Sequence, residues 1–430
     1  MTSKKTSILH VLFLLAGQLC AYGCGPEAVS QYQQASFERV GHLEILRLVG
    51  TPYEMGLQYG DLMADELEEG VEWLNSDPTF SLLVPLARSM GFLDEAMAQS
   101  FPEVLDECRG MVEAAAQAGV EEWTMDHCMG LAWGEVIVEH LAHGSGGACT
   151  QALASGPASP DGELVHGRNM DWSELSFLLD HPTIIIRRPQ GKIPFMVVGF
   201  PGSVVPYSGM NAAGLAIASD EMDARDDIDR QGSSHQQMMF RMLQECSSLD
   251  QAEAFLRAQD HMTAEAIVVS DGNSGRAAVF EMTANHLGVR YLDQNGIVGL
   301  TNHFVSPEMV DLCLSEAESP ESDSWARYER LEQLLQPGGA DSLYGKLDVD
   351  GMISLLSDNY NPRSQETCPP EQFDGCGTIG NSATIYSMVF LPGRGEFYLA
   401  DGGGLPVPHQ PFIHFSLAEL LRENGRVPLE

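Results

Sequence analysis

The chain has 430 residues, 61 of them acidic and 23 basic, and its formal net charge is -38 at pH 7. An acidic surface repels phosphate backbones, which excludes a nucleic-acid-binding protein, and it disfavours docking on anionic lipid through a basic face. Hydrophobic residues make up 44% and charged residues 20%, the balance of a soluble globular protein with one large domain or two ordinary ones.

The N-terminus has the pattern of an export signal. Lys4 and Lys5 precede an apolar run that is too short to span a bilayer. The stretch Ala21–Cys24 is similar to a bacterial lipobox, although it lacks the usual leucine at the first position. We therefore expect a signal peptide over 1–23 and a polar tether over 24–43. Either Cys24 is lipidated, which gives a membrane-anchored periplasmic lipoprotein, or the signal is cleaved and the protein is released.

The use of cysteine fits an exported protein. Two of the nine cysteines lie in the leader, and the odd number that remains predicts a free thiol beside disulfides in an oxidising compartment. Cys368 and Cys376 bracket a Pro-Pro loop and are the best candidates for a local disulfide. No Cys-x-x-Cys or His-x-x-x-His spacing occurs, so we expect no metal site, and no motif indicates a cofactor.

The residues before Cys149 have a mostly helical pattern. Apolar residues recur at three- and four-residue spacing, as a buried helix face requires, at Met63, Leu67, Val71 and Leu74. A second helix is expected over 121–141, and a glycine-rich loop follows it. We therefore predict a helical N-terminal segment over 44–148.

The pattern changes after Cys149. Short apolar runs separated by turn signals predict strands, and helical patterns are inserted at about 232–258, 307–317, 323–336 and 348–357. Strands from both ends of this half with helices between them indicate sheets that are covered by helices on their outer faces. We predict a catalytic segment over 149–430.

A predicted hairpin brings Cys149 close to Arg168. The loop between their strands, Ser155–Gly162, is dense in turn formers. A turn centred near residues 158 and 159 pairs Cys149 with Arg168, whose positive charge lowers the pKa of a thiol. Asp171 faces the other side of the strand by alternation, so it reaches the backbone amine of Cys149 only if the strand has ended or bent. Taken singly, each residue fits a structural role; together they indicate a nucleophile.

Five segments occur in the order found in one known family. They are Ala148–Thr150, His166–Trp172, Gly209–Leu215, Leu300–Phe304 and Ser324–Arg330. Through them the chain resembles the N-terminal-nucleophile hydrolases of the peptidase family typified by the acyl-coenzyme A:isopenicillin N acyltransferases. It is similar, more distantly, to the choloylglycine hydrolases. The resemblance covers roughly residues 50–401.

The resemblance implies an α+β fold, a four-layer αββα sandwich of two antiparallel sheets with outer helices, made as an inactive precursor. Cleavage before Cys149 would expose that residue as a nucleophile whose own α-amine is the base. By the same resemblance Arg168 would stabilise the thiolate and Asp171 would hold the α-amine. Asn302 would donate to the oxyanion, and Arg327 matches a second active-site arginine.

Two positions depart from the family pattern. Ala148 stands where the acyltransferases usually have glycine. Glu221 falls where a second oxyanion asparagine is expected by similarity to the bile salt hydrolases, and a carboxylate there would repel the developing charge. Either the count is shifted, or a backbone N–H replaces that donor. We expect core or structural roles for His166, His303 and Asn211.

The sequence therefore predicts a self-cleaving cysteine hydrolase that acts on a small-molecule N-acyl amide. Two alternatives stay open. The enzyme could pass the acyl group to an amine, or the chain could be a non-catalytic surface lipoprotein that keeps the scaffold. Coenzyme A is a cytoplasmic metabolite, so an export signal favours hydrolysis over coenzyme A-dependent transfer. The substrate and the oligomeric state are not determined by the sequence.

Overall fold

A computed structural model describes residues 34–133, 149–172, 176–222, 224, 228–314, 323–369, 376–400, 402, 404 and 406–422. The predicted signal peptide, Cys24 and the loop before Cys149 lie outside these residues. We call the chain before Cys149 the N-terminal segment and the chain from Cys149 onward the catalytic segment.

Most strands of the described residues belong to two sheets. The strands are β1 (Ser36–Val40), β2 (Leu43–Gly50), β3 (Thr150–Ala154), β4 (Val165–Asp171), β5 (Thr183–Pro189), β6 (Phe195–Gly199), β7 (Ser208–Asn211), β8 (Leu215–Glu221), β9 (Glu265–Asp271), β10 (Arg276–Met282), β11 (Leu287–Tyr291), β12 (Ile297–Leu300), β13 (Tyr360–Asn361), β14 (Glu366–Thr367), β15 (Thr384–Leu391), β16 (Glu396–Ala400) and β17 (Phe412–Ser416). The large sheet has the order β1-β2-β5-β6-β7-β8-β9-β10-β11 and the small sheet the order β12-β3-β4-β15-β16-β17, while β13 and β14 form a separate hairpin.

Helices cover the outer faces of these sheets. The helices are α1 (Pro52–Leu62), α2 (Ala64–Ser76), α3 (Pro78–Ser89), α4 (Phe92–Gln99), α5 (Pro102–Ala118), α6 (Met125–Ala132), α7 (Ser176–Asp180), α8 (His235–Glu245), α9 (Leu249–Arg257), α10 (Asp323–Leu335), α11 (Val349–Leu356) and α12 (Leu417–Leu420). The short helices α7 and α12 are the exception, because they pack against the core between the sheets. In the described part of the chain, no helix has the length and apolar character needed to span a bilayer.

The apolar side chains form three layers of core, which confirms the predicted four-layer sandwich. One layer lies between the large sheet and the helices α1, α2, α5, α8 and α9. A second fills the space between the two sheets, where strands β5 and β6 face β15 and β16. A third lies between the small sheet and helices α10 and α11. The alternation of side chains along each strand places every second residue of β3 and β4 between the sheets.

The predicted boundaries of the N-terminal segment were partly wrong. Residues Ser36–Val40, assigned to a polar tether, form β1, and Leu43–Gly50 forms β2 rather than the start of a helical region. Strand β2 pairs with β5 in parallel, so the large sheet is mixed and not purely antiparallel. The reason is the long crossover: the helices of the N-terminal segment lie between β2 and β5, and parallel neighbours need such a connection.

Two predictions about helices had opposite outcomes. The apolar residues of the first predicted helix are almost fully buried: Met63, Leu67, Val71 and Leu74 are each at most 3% exposed. The helix predicted over 307–317 was wrong, because only a three-residue 3-10 turn, Val310–Leu312, occurs up to residue 314. Of the helix predicted over 121–141, the described residues contain α6.

The N-terminal segment is joined to the catalytic segment by contacts other than disulfides. The described disulfides are Cys108–Cys128, within the first segment, and Cys368–Cys376, within the second. The Cys368–Cys376 pairing confirms the sequence prediction. Across the boundary, β2 pairs with β5, and Glu107 of α5 contacts the fully buried Arg187 of β5 at 2.7 Å. Cleavage before Cys149 would leave these contacts in place.

Close packing of two helices places Glu107 at this boundary. Helices α1 and α5 cross where glycines face backbone: a Cβ added to Gly56 would lie 2.0 Å from the carbonyl oxygen of Glu107. The same holds for Gly110, where an added Cβ would lie 2.2 Å from the carbonyl oxygen of Tyr53. The absence of these side chains lets the helices approach each other, which brings the α5 carboxylate to the sheet.

Candidate active site

Strands β3 and β4 form the predicted hairpin, but in a different register. Gln151, not Cys149, is opposite Arg168. The loop includes a 3-10 turn at Gly156–Ala158 and is centred one residue further along the chain than predicted. This displaces the pairing by two residues, and an even displacement keeps every side chain on its predicted face. Cys149 therefore still lies on the same face of the hairpin as Arg168.

The thiol of Cys149 lies in a buried space between the sheets. Its Sγ is 3.6 Å from Nη2 of Arg168 and 3.5 Å from Sδ of Met170. The backbone N–H of Asp171 donates to the thiol. Cys149 is 3% exposed, and burial raises the pKa of its thiol to about 12, while Arg168 opposes that rise. In the intact chain, therefore, the thiol is protonated.

The backbone of Cys149 is held from the opposite side of the small sheet. Nη1 of Arg327, on α10, donates to the carbonyl oxygen of Cys149 at 2.5 Å and to Oγ1 of Thr150 at 3.0 Å. Nη2 of the same side chain donates to Oδ1 of Asn302 at 2.9 Å. Asp323 accepts from Nε of Arg327, so this guanidinium is bound on three sides.

Asn302 follows β12 and lies close to the end of β8. Its Nδ2 donates to the backbone carbonyl oxygen of Glu221 at 2.9 Å. A carboxamide nitrogen carries two N–H groups, so one is committed to this bond and the second is available for an oxyanion. The contact with Arg327 fixes which end of the amide is nitrogen, because a guanidinium can only donate.

The carboxylate of Asp171 lies on the outer face of the small sheet, as alternation predicts. It accepts from Oγ1 of Thr384 at 2.6 Å and from Nδ2 of Asn381 at 2.9 Å. Burial raises the pKa of Asp171 to about 7, and the nearby Arg327 opposes this rise. The strand pairing with β15 is irregular at this point, between Thr384 and Tyr386.

All five predicted site residues thus occupy one region around the start of β3. Arg168 and the backbone of Asp171 contact the thiol of Cys149, and Arg327 joins the carbonyl of Cys149 to Asn302. The two guanidinium groups lie on opposite faces of the small sheet. The arrangement can place positive charge beside a thiolate and donors beside an acyl oxygen.

The sequence reasoning did not identify the buried polar groups on the inter-sheet side. Asp220 of β8 lies 3.8 Å from Nη2 of Arg168, and Nε2 of Gln151 donates to it at 2.7 Å. Oε1 of Gln151 in turn lies 2.8 Å from Nε2 of His166. These contacts join strands distant in sequence, and only the run of polar residues at the end of β8, Ser219–Glu221, could have signalled them.

Glu221 does not place its carboxylate beside the thiol. Its neighbour Asp220 faces Arg168, so alternation turns the side chain of Glu221 to the opposite, helical face of the large sheet. There it is paired in register with Glu265 of β9, whose Oε1 lies 3.1 Å from His235. The carboxylate that faces the site is therefore Asp220.

The remaining candidates have structural surroundings, as predicted. Asn211 bonds with the backbone on both sides, donating to Leu243 and accepting from Leu215. The ring of His303 stacks on Trp325 with 3.5 Å between centroids. Among the described cysteines, Cys149, Cys246 and Cys313 are not in disulfides, so three thiols rather than one remain reduced.

Several solved structures are similar in part. The N-acylethanolamine-hydrolyzing acid amidase ortholog of Caenorhabditis elegans is 15% identical, covering 57% of this chain and 93% of that one, with a TM-score of 0.40. A conjugated bile acid hydrolase variant from Clostridium perfringens is 13% identical. The match covers 64% of this chain and 94% of that one, with a TM-score of 0.42. Penicillin V acylase from Agrobacterium tumefaciens is 13% identical. The match covers 64% of this chain and 89% of that one, with a TM-score of 0.40.

Sequence relatives cover more of the chain. An uncharacterized protein of Archaeoglobus fulgidus is 25% identical over 359 residues, which is 74% of this chain but only 58% of that protein. The 40 kDa form of the acyl-coenzyme A:6-aminopenicillanic-acid-acyltransferase of Emericella nidulans is 25% identical over 319 residues, 72% of this chain and 81% of that protein.

A family profile covers more than half of the chain. The profile described as acyl-coenzyme A:6-aminopenicillanic acid acyl-transferase matches residues 158–399. The match begins after Cys149 and includes Arg168, Asp171, Asn302 and Arg327. The chain therefore belongs to the acyl-coenzyme A:6-aminopenicillanic acid acyltransferase family, which confirms the resemblance seen in the sequence.

Proposed function

We propose that this protein is a cysteine amide hydrolase that activates itself by cleavage before Cys149. The observation that carries the proposal is the convergence of two buried guanidinium groups on one residue. Arg168 lies 3.6 Å from the thiol of Cys149, and Arg327 donates to its carbonyl oxygen. A purely structural cysteine does not require either charge, and burying two arginines is costly.

The cleavage step uses the thiol before any α-amine exists. The Cys149 sulfur would add to the carbonyl carbon of Ala148, and the peptide nitrogen would take the proton of the thiol and leave as the neutral α-amine of Cys149. Water would then hydrolyse the resulting thioester, which frees the carboxyl group of Ala148 and restores the thiol. Arg168 would favour the thiolate during attack, since a nearby positive charge stabilises it.

The mature enzyme would have a base that the precursor lacks. An α-amine titrates near neutrality, so it can take the proton of the thiol as sulfur attacks the amide carbonyl of the substrate. The spare N–H of Asn302 would donate to the oxyanion of the tetrahedral intermediate. The leaving amine takes the proton back, and water hydrolyses the acyl-enzyme. Asp171 would hold the α-amine of Cys149 near the substrate.

Intact-mass analysis of the purified protein tests this function. We expect two fragments, the larger beginning at Cys149, and no cleavage in the Cys149→Ala variant. Cys246→Ala is the matched control, because Cys246 is also a free, buried thiol, and it should be cleaved like the wild type. An intact chain that stays unchanged on incubation, and that behaves like Cys149→Ala, would refute the proposal.

Acyl transfer to an amine is a second candidate, favoured by the match to the fungal acyltransferase. The two reactions share the acyl-enzyme and differ in the acceptor, which is water or an amine. Adding an acceptor amine to the cleaved enzyme with an N-acyl amide substrate separates them. A product ratio that follows the amine concentration supports transfer, whereas an unchanged yield of free acid supports hydrolysis.

We also propose that the protein is exported, on the strength of its N-terminal sequence. The pattern of 1–23 supports a cleaved signal, and Ala21–Cys24 supports a lipid on Cys24. Expression of the full chain in a bacterial host with labelled fatty acid would test the lipid. We expect the label to be incorporated and to be lost in Cys24→Ser; an unlabelled, released protein would refute the anchor but not the export.

A further inference from the structure

In the described part of the chain, Asp220 is the carboxylate that pairs with Arg168 on the inter-sheet side of the site. Both side chains are fully buried, and Oδ1 of Asp220 lies 3.8 Å from Nη2 of Arg168. That distance is longer than an ordinary charge-assisted hydrogen bond. The same Nη2 is 3.6 Å from Sγ of Cys149, so one nitrogen of the guanidinium is close to both the thiol and the carboxylate.

Neutral groups hold both charged side chains in place. Nη1 of Arg168 donates to the carbonyl oxygen of Tyr207 at 2.5 Å and to Oγ of Ser208 at 2.8 Å. Asp220 is anchored by Nε2 of Gln151, whose Oε1 lies 2.8 Å from His166. The carboxylate therefore approaches the guanidinium from a fixed position on a different strand.

The other titratable groups around the thiol complete its electrostatic surroundings. Burial lowers the pKa of His166 to about 3, so this ring is neutral. Burial raises the pKa of Tyr386, whose ring lies under Arg168, to about 12, so the phenol is also neutral. Asp171 and Arg327 lie on the outer face. Among the residues that the structure describes, the charges beside the thiol on the inter-sheet face are therefore Arg168 and Asp220.

We infer that Asp220 is a positioning residue that acts through Arg168: it offsets the charge of Arg168 at Cys149. This inference rests on the proposed role of Cys149 as the nucleophile. With the carboxylate present, the guanidinium interacts with two anions, the Asp220 carboxylate and the Cys149 thiolate. It therefore stabilises the thiolate less than it would alone. Without the negative charge of Asp220, the positive charge of Arg168 would act on the sulfur unopposed, which favours the thiolate.

The rate of alkylation of Cys149 by iodoacetamide, measured against pH, tests this role. Asp220→Asn keeps the shape and removes the charge. We expect the apparent pKa of Cys149 to fall and its alkylation rate at pH 7 to rise by about three- to tenfold, since a more acidic thiol has more thiolate but a weaker nucleophile. Cys246 and Cys313 are internal references whose rates should not change, because they are thiols outside disulfides elsewhere in the chain.

A second pair of variants controls for misfolding of the Asp220→Asn protein. Asp220→Asn alone leaves a buried guanidinium without its carboxylate, whereas the double variant with Arg168→Gln leaves no such charge. In the Arg168→Gln background the loss of Asp220 should still raise the alkylation rate of Cys149 relative to Arg168→Gln alone, but by less, because only the direct repulsion between the carboxylate and the thiolate is removed. An unchanged or slower rate at Cys149 in these comparisons, or an equal rise at Cys246 and Cys313, would overturn the inference.

The assay is independent of self-cleavage. Mass analysis of peptides distinguishes Cys149 inside the chain from Cys149 at a new N-terminus, and each form is compared with the same form of the parent protein. If the chain is never cleaved, the proposed function fails, yet the alkylation of the internal thiol still reports whether Asp220 acts on it.

Discussion

Two buried arginines on neighbouring stretches of the chain have different partners. Arg187, at the boundary of the two segments, is bound by Glu107 through Nε at 3.0 Å and Nη2 at 2.7 Å. Arg168, at the site, donates to a carbonyl, a hydroxyl and a thioether, and its carboxylate lies 3.8 Å away. A charge neutralised by a close carboxylate stabilises structure, whereas a charge held mainly by neutral acceptors can still act on a thiol.

Breaking the structural pair should have the largest effect on stability. We expect Glu107→Gln to lower the free energy of unfolding by about 3–5 kcal/mol, because it leaves the guanidinium of Arg187 buried without its counter-charge. Urea denaturation in a Cys149→Ala background, where the chain stays uncut, measures this. The rate of alkylation of Cys149 should change little, since Glu107 belongs to the boundary between segments and not to the site.

A partly exposed pair across the same boundary is the matched control. Arg241 contacts Glu103 at 2.7 Å, with side chains 24% and 18% exposed. Glu103→Gln should cost about 1 kcal/mol or less, because solvent screens this pair. If Glu107→Gln is no more destabilising than Glu103→Gln, the distinction between the two arginines fails.

Removing a donor at the site should change the rate more than the stability. Asn302→Ala removes a neutral amide that contacts Arg327 and Glu221. We expect kcat to fall by about 100- to 1000-fold, the usual loss for one oxyanion donor, with KM little changed. The steady-state kinetics of the cleaved enzyme measure both constants. Asn273→Ala, in an exposed turn, should keep wild-type kinetics, and a similar loss in that variant would show that the effect is not local.

The sequence predicted the layers of the fold, and which residues lie together around Cys149, better than it predicted the connections. The face of the strand or helix on which each side chain lies was predicted correctly, because alternation and helical spacing are local patterns that burial enforces. The hairpin register was wrong by two residues, because the loop Gly156–Ala158 takes a 3-10 turn that composition alone does not determine. Strand β1 was missed for a similar reason, since its side chains are only partly buried and show no clear alternation.

Contacts between side chains that are distant in sequence could not be predicted from local patterns. Asp220 meets Arg168 across the space between two sheets, and Glu107 meets Arg187 through a helix crossing that depends on Gly56. No spacing in the chain encodes such contacts. Cysteine counting has the same limit, since it identified the local Cys368–Cys376 bridge but could not pair Cys108 with Cys128.

A third cation at the segment boundary, unlike Arg187, can lose its charge. His181 of the catalytic segment lies between two carboxylates of the N-terminal segment, with Nδ1 3.2 Å from Glu44 and Nε2 3.1 Å from Glu69. The pKa of His181 is raised, chiefly by the hydrogen bond with Glu44. A raised pKa in the folded state means that the contribution to stability is complete below the unfolded value, about 6.5, and is lost as pH rises through the folded value.

Replacing His181 should therefore destabilise the protein only on the acidic side. We expect His181→Gln to lower the free energy of unfolding by about 1 kcal/mol near pH 5.5 and by almost nothing near pH 8.5. Urea denaturation of the uncut Cys149→Ala chain at both pH values gives the difference. His414→Gln, which removes a more exposed pairing with Glu396 inside the catalytic segment, should show a smaller change. An effect of His181→Gln that is equal at both pH values would mean that the imidazole acts by packing and not by its charge.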